Sequence, residues 1–202
     1  SNTTQTISMQ ADDPVHLTEG GRQQVLKGTT TLKSVGIDHI FSSDFVRTKE
    51  TAEIVSKEIG VKSEVDVRLR ELHYGAFHGK TVAEYVTSYR RRGWNMVDNT
   101  VEGGETIPDV RRRIMSFFLE LEKQYRDKKI IIVGHGHPLW ILERTLAGYS
   151  DDDFRREDLK GPPYAEYPVF GEPKKILYHV LPYDEDGAAN LHRPYVDNFF
   201  PG

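Results

Sequence analysis

The stretch KKIIIVGHGHPLWILERTL, residues 128–146, decides the fold. Ile130, Ile131, Ile132 and Val133 make a continuous β-branched run, too short for a helix and typical of a strand covered on both faces. The chain breaks at Gly134, and a helical pattern follows in which Pro138 suits the first turn, where its missing N–H costs nothing. A buried strand that passes through a tight turn into a helix is a unit of a parallel α/β sheet. In such sheets ligands lie beyond the carboxyl ends of the strands, where helix N-termini present unsatisfied N–H groups and a positive dipole end. His135, set between two glycines at that point, is well placed to hold a phosphate.

The same layout recurs upstream. His39-Ile40-Phe41 reads as a strand ended by Ser42, Ser43 and Asp44. Asp44 is expected to cap a helix with Phe45, Ala52, Val55 and Ile59 on one face and Arg47 in its first turn. Thr18 is expected to cap an earlier helix over residues 17 to about 35, with Val25, Leu26 and Leu32 as apolar contacts. A short extended piece around Val65 and Val67 leads into RELHYGAFHGKT (70–81), a loop before a helix at about 81–93. EGGET (102–106) is another loop. The most regular helix covers residues 106–127: Ile107, Val110, Ile114, Phe117, Phe118, Leu121 and Tyr125 keep a 3.6-residue period, and Arg111, Arg112, Arg113 and Lys123 fall on other faces.

Composition bounds the rest. With 202 residues, 37% of them hydrophobic, one sizeable core is expected. A net charge of −4 supplies no global basic field, so direct nucleic-acid binding is not expected and any phosphate site must be local. The absence of cysteine excludes disulfides and thiolate chemistry, and is compatible with a cytoplasmic location. No apolar run approaches the roughly 20 residues that cross a bilayer.

Taken in order, LTEGGRQQ (17–24), IFSSDFVRTKETAEIV (40–55), LRELHYGAFHGKT (69–81), EGGET followed by Arg113, and IIIVGHGHPL (130–139) resemble successive blocks of the histidine phosphatase superfamily, the phosphoglycerate mutase-like fold. The resemblance implies a three-layer α/β/α sandwich with a mostly parallel sheet, and hydrolysis of phosphomonoesters through a phosphohistidine without a cofactor or metal. It makes Arg47 a phosphate-binding arginine, Glu71 the acid/base carboxylate and His135 the second histidine of the phosphate pocket, with Ser43, His78 and Gly136 lining it. A guanidinium fork matches two phosphoryl oxygens, and His135 could donate to a third. Glu71 would need a raised pKa, which burial could supply. The expected ligand is a small phosphorylated substrate or inorganic phosphate. The span from Glu71 to Glu105 has room for one helix and a loop, which favours a phosphatase over a mutase. Arg90, Arg91, Arg92 and Trp94 could form a basic lid.

The chain departs from this family in one respect. The nucleophile of the family is the histidine of an Arg-His-Gly tripeptide on a central strand, and no Arg-His-Gly occurs in this sequence. Ser1-Asn2 resembles the Ser-Asn found shortly after that motif. The expectation is a chain that starts just after the catalytic strand, is inactive as written and keeps an anion site. The gap in the sheet would be filled by KKILYHVLPY (174–183), by TTQTISM (3–9) or by a partner. Residues 1–182 are read as the phosphatase-like domain and 183–202 as a tail. Within that tail LHRPYVDNF (191–199) is similar to a segment of isoleucyl-tRNA synthetases, which implies a noncatalytic module of a class I synthetase and a synthetase-like partner region. A third reading, a metal-dependent hydrolase built on His135-Gly136-His137, lacks a further ligand cluster.

Overall fold

A computed structural model describes residues 6–160 of the chain. The strand expected at His39 forms β1 (His39–Ser42), flanked by β2 (Ser63–Val65) and β3 (Ile130–Val133) in a fully parallel sheet of order β2-β1-β3. The described residues also form six α-helices: α1 (Glu19–Thr30), α2 (Val46–Ile59), α3 (Val82–Arg92), α4 (Ile107–Gln124), α5 (Gly136–Leu146) and α6 (Asp151–Lys160).

The layers follow from the two-residue alternation of strand side chains. Ile40, Ile131 and Val133 join Val25 of α1 and Ala52 and Val55 of α2 in one apolar cluster. Phe41, Ile130 and Ile132 point the other way, against Ile114, Phe117 and Leu121 of α4 and Leu142 and Leu146 of α5. The sheet is therefore covered on both faces, giving the expected α/β/α sandwich. A further cluster joins Tyr85 and Tyr89 of α3 to Ile107, Trp140 and Phe154.

Several local expectations need correction. The first helix stops at Thr30 rather than near residue 35, because Thr29, Thr30 and Thr31 turn their hydroxyls back onto the carbonyls of Val25, Lys27 and Gly28. Asp44 does not cap α2: the N-cap is Phe45, with no side-chain bond, and the Asp44 carboxylate is taken by the Arg70 guanidinium. Val67 is not extended; Asp66 accepts from the Arg68 N–H at 2.8 Å and turns residues Val67–Leu69 into a 3-10 helix. Arg111, expected off the apolar face of α4, is not solvated there. It is buried, pairs with Asp151 at 2.6 Å and lies over the Phe154 ring.

The strand register positions the site. Ser42 pairs with Val133 and with Val65, so all three strands end at one rim. The Ser43 N–H donates to the Val133 carbonyl at 3.1 Å, and the Asp66 N–H to the Ser42 carbonyl at 2.9 Å, extending the ladder one residue on each side. Residues 6–9 do not enter the sheet: Thr6 bridges Thr81, and Ile7 and Met9 are buried in the cluster around α3. Among the described residues β3 pairs only with β1, and its four residues are half-buried. The strand expected at 174–183, the boundary at 182 and the LHRPYVDNF segment lie outside the described residues. No described helix is long and apolar enough to cross a membrane.

Candidate active site

Each strand end delivers one functional side chain to the shared rim. From β1 the chain passes through Ser43 into α2 and presents Arg47 in the first turn; from β3 it passes through Gly134 to His135, the N-cap of α5. Arg47 and His135 meet there, with an Arg47 guanidinium N–H donating to His135 Nδ1 at 3.1 Å. From β2 the chain runs through the 3-10 turn to Glu71. Its carboxylate lies 3.4 Å from His137 Nδ1 and accepts the Leu72 N–H at 2.8 Å. The Tyr74 hydroxyl lies 3.0 Å from the same His137 nitrogen.

The His135 ring is held on every side. Its Nε2 lies 2.7 Å from Ser43 Oγ, which lies 2.7 Å from Thr48 Oγ1. Thr48 Oγ1 in turn donates to the Phe45 carbonyl at 2.9 Å. The Phe45 ring meets the imidazole edge-on at 4.9 Å and carries the Arg47 guanidinium above it at 4.8 Å. Burial lowers the pKa of His135; Glu71 opposes this, Arg47 and Arg113 add to it, and the result is about 4, a neutral imidazole at neutral pH. Burial likewise lowers the Arg47 pKa, which remains a cation.

Glu71 departs from expectation in the opposite sense. Burial raises its pKa, but the His137 hydrogen bond, the charges of His137 and His135 and the Leu72 N–H together outweigh that, leaving it at about 2. Its segment is fixed by α4: Arg113 donates to the Glu71 and Arg68 carbonyls at 3.0 and 2.7 Å while its guanidinium holds Glu105 at 2.8 Å. Glu105 accepts the His73 N–H at 2.9 Å.

The pocket-lining residues divide. Ser43 is fully buried and stands behind His135 rather than facing a ligand. Gly136 opens onto free space, since an added Cβ would meet nothing within 4 Å. His78 is exposed at the rim, on the side of Asp13, whose charge also reaches Arg47. Arg90, Arg91 and Arg92 lie exposed in the last turn of α3, with Arg92 over the Trp94 ring at 4.6 Å. His135 and His137 do not form a chelate, because His135 turns one nitrogen to a guanidinium and the other to a buried hydroxyl. Among the described residues no three His, Cys, Asp or Glu side chains are grouped to hold a metal ion.

The model of the histidine phosphatase superfamily (branch 1) matches residues 1–167. The chain belongs to the histidine phosphatase superfamily. Within it, the chain is 33% identical over 154 residues to the Escherichia coli protein named "Probable phosphoglycerate mutase GpmB", a match covering 73% of this chain and 69% of that protein. Among solved histidine phosphatase-like structures, Bacillus stearothermophilus YhfR superimposes with a TM-score of 0.68 at 25% identity, covering 94% of this chain and 88% of that one. A mycobacterial glucosyl-3-phosphoglycerate phosphatase, solved with inorganic phosphate, gives 0.65 at 27% identity over 75% of this chain and 78% of its own. No sequence pattern points to Thr48, Tyr74 or the pairing of His137 with Glu71 in this superfamily member; the one signal is His137 itself, which reads as a potential metal ligand and not as the neighbour of a carboxylate.

Proposed function

We propose that these 202 residues form a binding module for phosphate esters, with Arg47 and His135 gripping the phosphoryl oxygens and Glu71, beside His137, placed to exchange a proton with the ester oxygen. The observation that carries this reading is the contact of Arg47 with His135 at 3.1 Å, made by side chains 88 residues apart at the carboxyl rim of a parallel sheet. A guanidinium and an imidazole converging there suit an oxyanion and repel a cation. Glu71 is ionised while the site is free; an arriving phosphate would raise its pKa by like-charge repulsion, toward the range a proton donor needs.

The single α-helix between Glu71 and Glu105 supports a phosphatase ancestry rather than a mutase. None of the eight histidines stands in an Arg-His-Gly, and His135 already serves the phosphate, so we read these residues as binding an ester without turning it over through a phosphohistidine. No observation among the described residues favours the synthetase-module reading.

Titration with inorganic phosphate, followed by calorimetry, is expected to give one site that His135→Ala removes. A protein that binds no phosphate rejects the reading. Aryl phosphate hydrolysis is expected to be absent and to emerge when an upstream Arg-His-Gly strand is added; turnover by the unaltered chain would overturn the assignment of inactivity.

A further inference from the structure

His135 has no N–H to offer an anion in this structure. A guanidinium carries only donors, so His135 Nδ1 accepts from Arg47 and bears no proton. The ring proton is therefore on Nε2 and points to Ser43 Oγ. The rest of the relay runs in one direction. Thr48 Oγ1 has its single hydrogen directed at backbone carbonyls, Phe45 at 2.9 Å and Ser43 at 3.1 Å, so it accepts from the Ser43 hydroxyl, which leaves the Ser43 oxygen to accept from His135. With Arg47 donating at Nδ1, the buried chain from imidazole to backbone carbonyl is satisfied when it runs in this direction.

We infer that Ser43 is a positioning residue that fixes the tautomer of His135, so that the imidazole can meet a phosphoryl oxygen only by taking up a proton at Nδ1 as Arg47 swings from it to the anion. This rests on the phosphate-site reading above. The step balances: one proton from solvent adds to the Nδ1 lone pair, one guanidinium hydrogen bond moves from imidazole to anion, and the new Nδ1–H donates to the anion. The groups facing the ring are Asp44 and Arg47 from the β1–α2 junction, Glu71 from the segment after the 3-10 turn and Arg113 from α4. The two carboxylates and two guanidinia oppose one another, and burial, the largest influence, favours the neutral ring until an anion arrives. The observed Arg47–His135 bond is in this sense a self-closed form of the site, and an anion opens it together with a proton.

Sulfate is the probe to use, because it remains a dianion across the working range and any pH dependence then belongs to the protein. Above the titration of free His135, sulfate affinity is expected to fall about tenfold per pH unit, the mark of one proton bound with each anion. Ser43→Ala removes the acceptor for Nε2–H and frees the other tautomer, so the slope is expected to be at most half as steep. Ser43→Cys keeps the volume and substitutes a weak acceptor, and is expected to fall between the two. Sulfate binding that is independent of pH in the unaltered protein, or an unchanged slope in a folded Ser43→Ala, overturns the inference.

Long-range nitrogen–proton NMR on the free protein separates this from failure of the site itself. An Nε2–H tautomer for His135 that persists in Arg47→Ala and is lost when Ser43→Ala is added to it supports the role of Ser43, because in the double variant neither neighbour fixes the ring proton. An Nδ1–H tautomer in the unaltered protein refutes it, whether or not sulfate binds. Absence of sulfate and phosphate binding at every pH would refute the site, and with it the proton uptake.

Discussion

Helices α1, α3 and α4 begin differently from α2 and α5. The first three start at Thr18, Thr81 and Thr106, each with its hydroxyl on a first-turn N–H, and in α3 and α4 Glu84 and Asp109 close reciprocal capping boxes. The other two start at Phe45 and His135, and neither side chain caps its helix. These are the two helices whose N-termini meet at the rim. Where a helix serves the architecture, a local hydroxyl satisfies its orphan donors. At the rim the cap position is given to an aromatic ring or an imidazole, neither of which bonds the first-turn N–H groups, which suits the proposed anion site.

The sharpest way to break this comparison is Arg47→Ala. Removing a charge-assisted fork is expected to cost phosphate affinity roughly 100-fold by calorimetry while leaving the denaturation midpoint little changed. A large loss of stability with intact binding would make Arg47 architectural.

Acid titration tests the site junctions next. His135 titrates at about 4 when folded against 6.5 in the unfolded chain, so the unfolded state binds the extra proton and stability falls as pH drops through that window. Glu71 adds stability that is complete above its ordinary 4.5 and is lost as pH falls toward about 2. Urea midpoints measured against pH are expected to decline in both windows. His135→Gln should flatten the upper one most, and an unaltered slope there would show that the ring titrates alike in the folded and unfolded chain.

The capped helices give the smallest effects. Thr106→Ala should cost about 1 kcal/mol of stability by urea denaturation, and Thr18→Ala, at a more exposed start, about 0.5 kcal/mol. Neither is expected to alter phosphate affinity; a change there would mean that caps and site are not separate.

What was legible in the sequence divides along the same line. The strand at Ile130–Val133, the Thr18 cap and the placement of Arg47 and His135 at strand ends follow from short-range pattern, since period and turn residues carry that information. The end of α1 and the turn at Asp66 are local failures, set by hydroxyl and carboxylate bonds to nearby backbone; those at the site are long-range. Asp44 has the chemistry of a cap, but Arg70, 26 residues away in the chain, takes its carboxylate. The sequence around Glu71 predicts burial and a raised pKa; burial holds, but His137, distant in the chain, reverses the shift. Residues 135 and 137 lie two positions apart at a helix start, about 200° around the axis, so one turns to Arg47 and the other to Glu71. Nothing in Gly-His-Gly-His says which way each will face. Ser43 likewise reads as a turn residue, and only the packing of β1 against β3 reveals it behind the imidazole.

Gly75, with φ of 54°, passes so close to the opposite loop that an added Cβ would lie 2.3 Å from the Glu102 carbonyl oxygen, and Gly104 is crowded in the same way by Thr100 and His73. The Tyr74–Gly104 bridge joins the same two backbones. The segment ahead of α4 is thus a handle on Glu71: a shift of residues 102–105, as from a lengthened turn, is expected to pass through Glu105 and Arg113 to the Glu71 backbone.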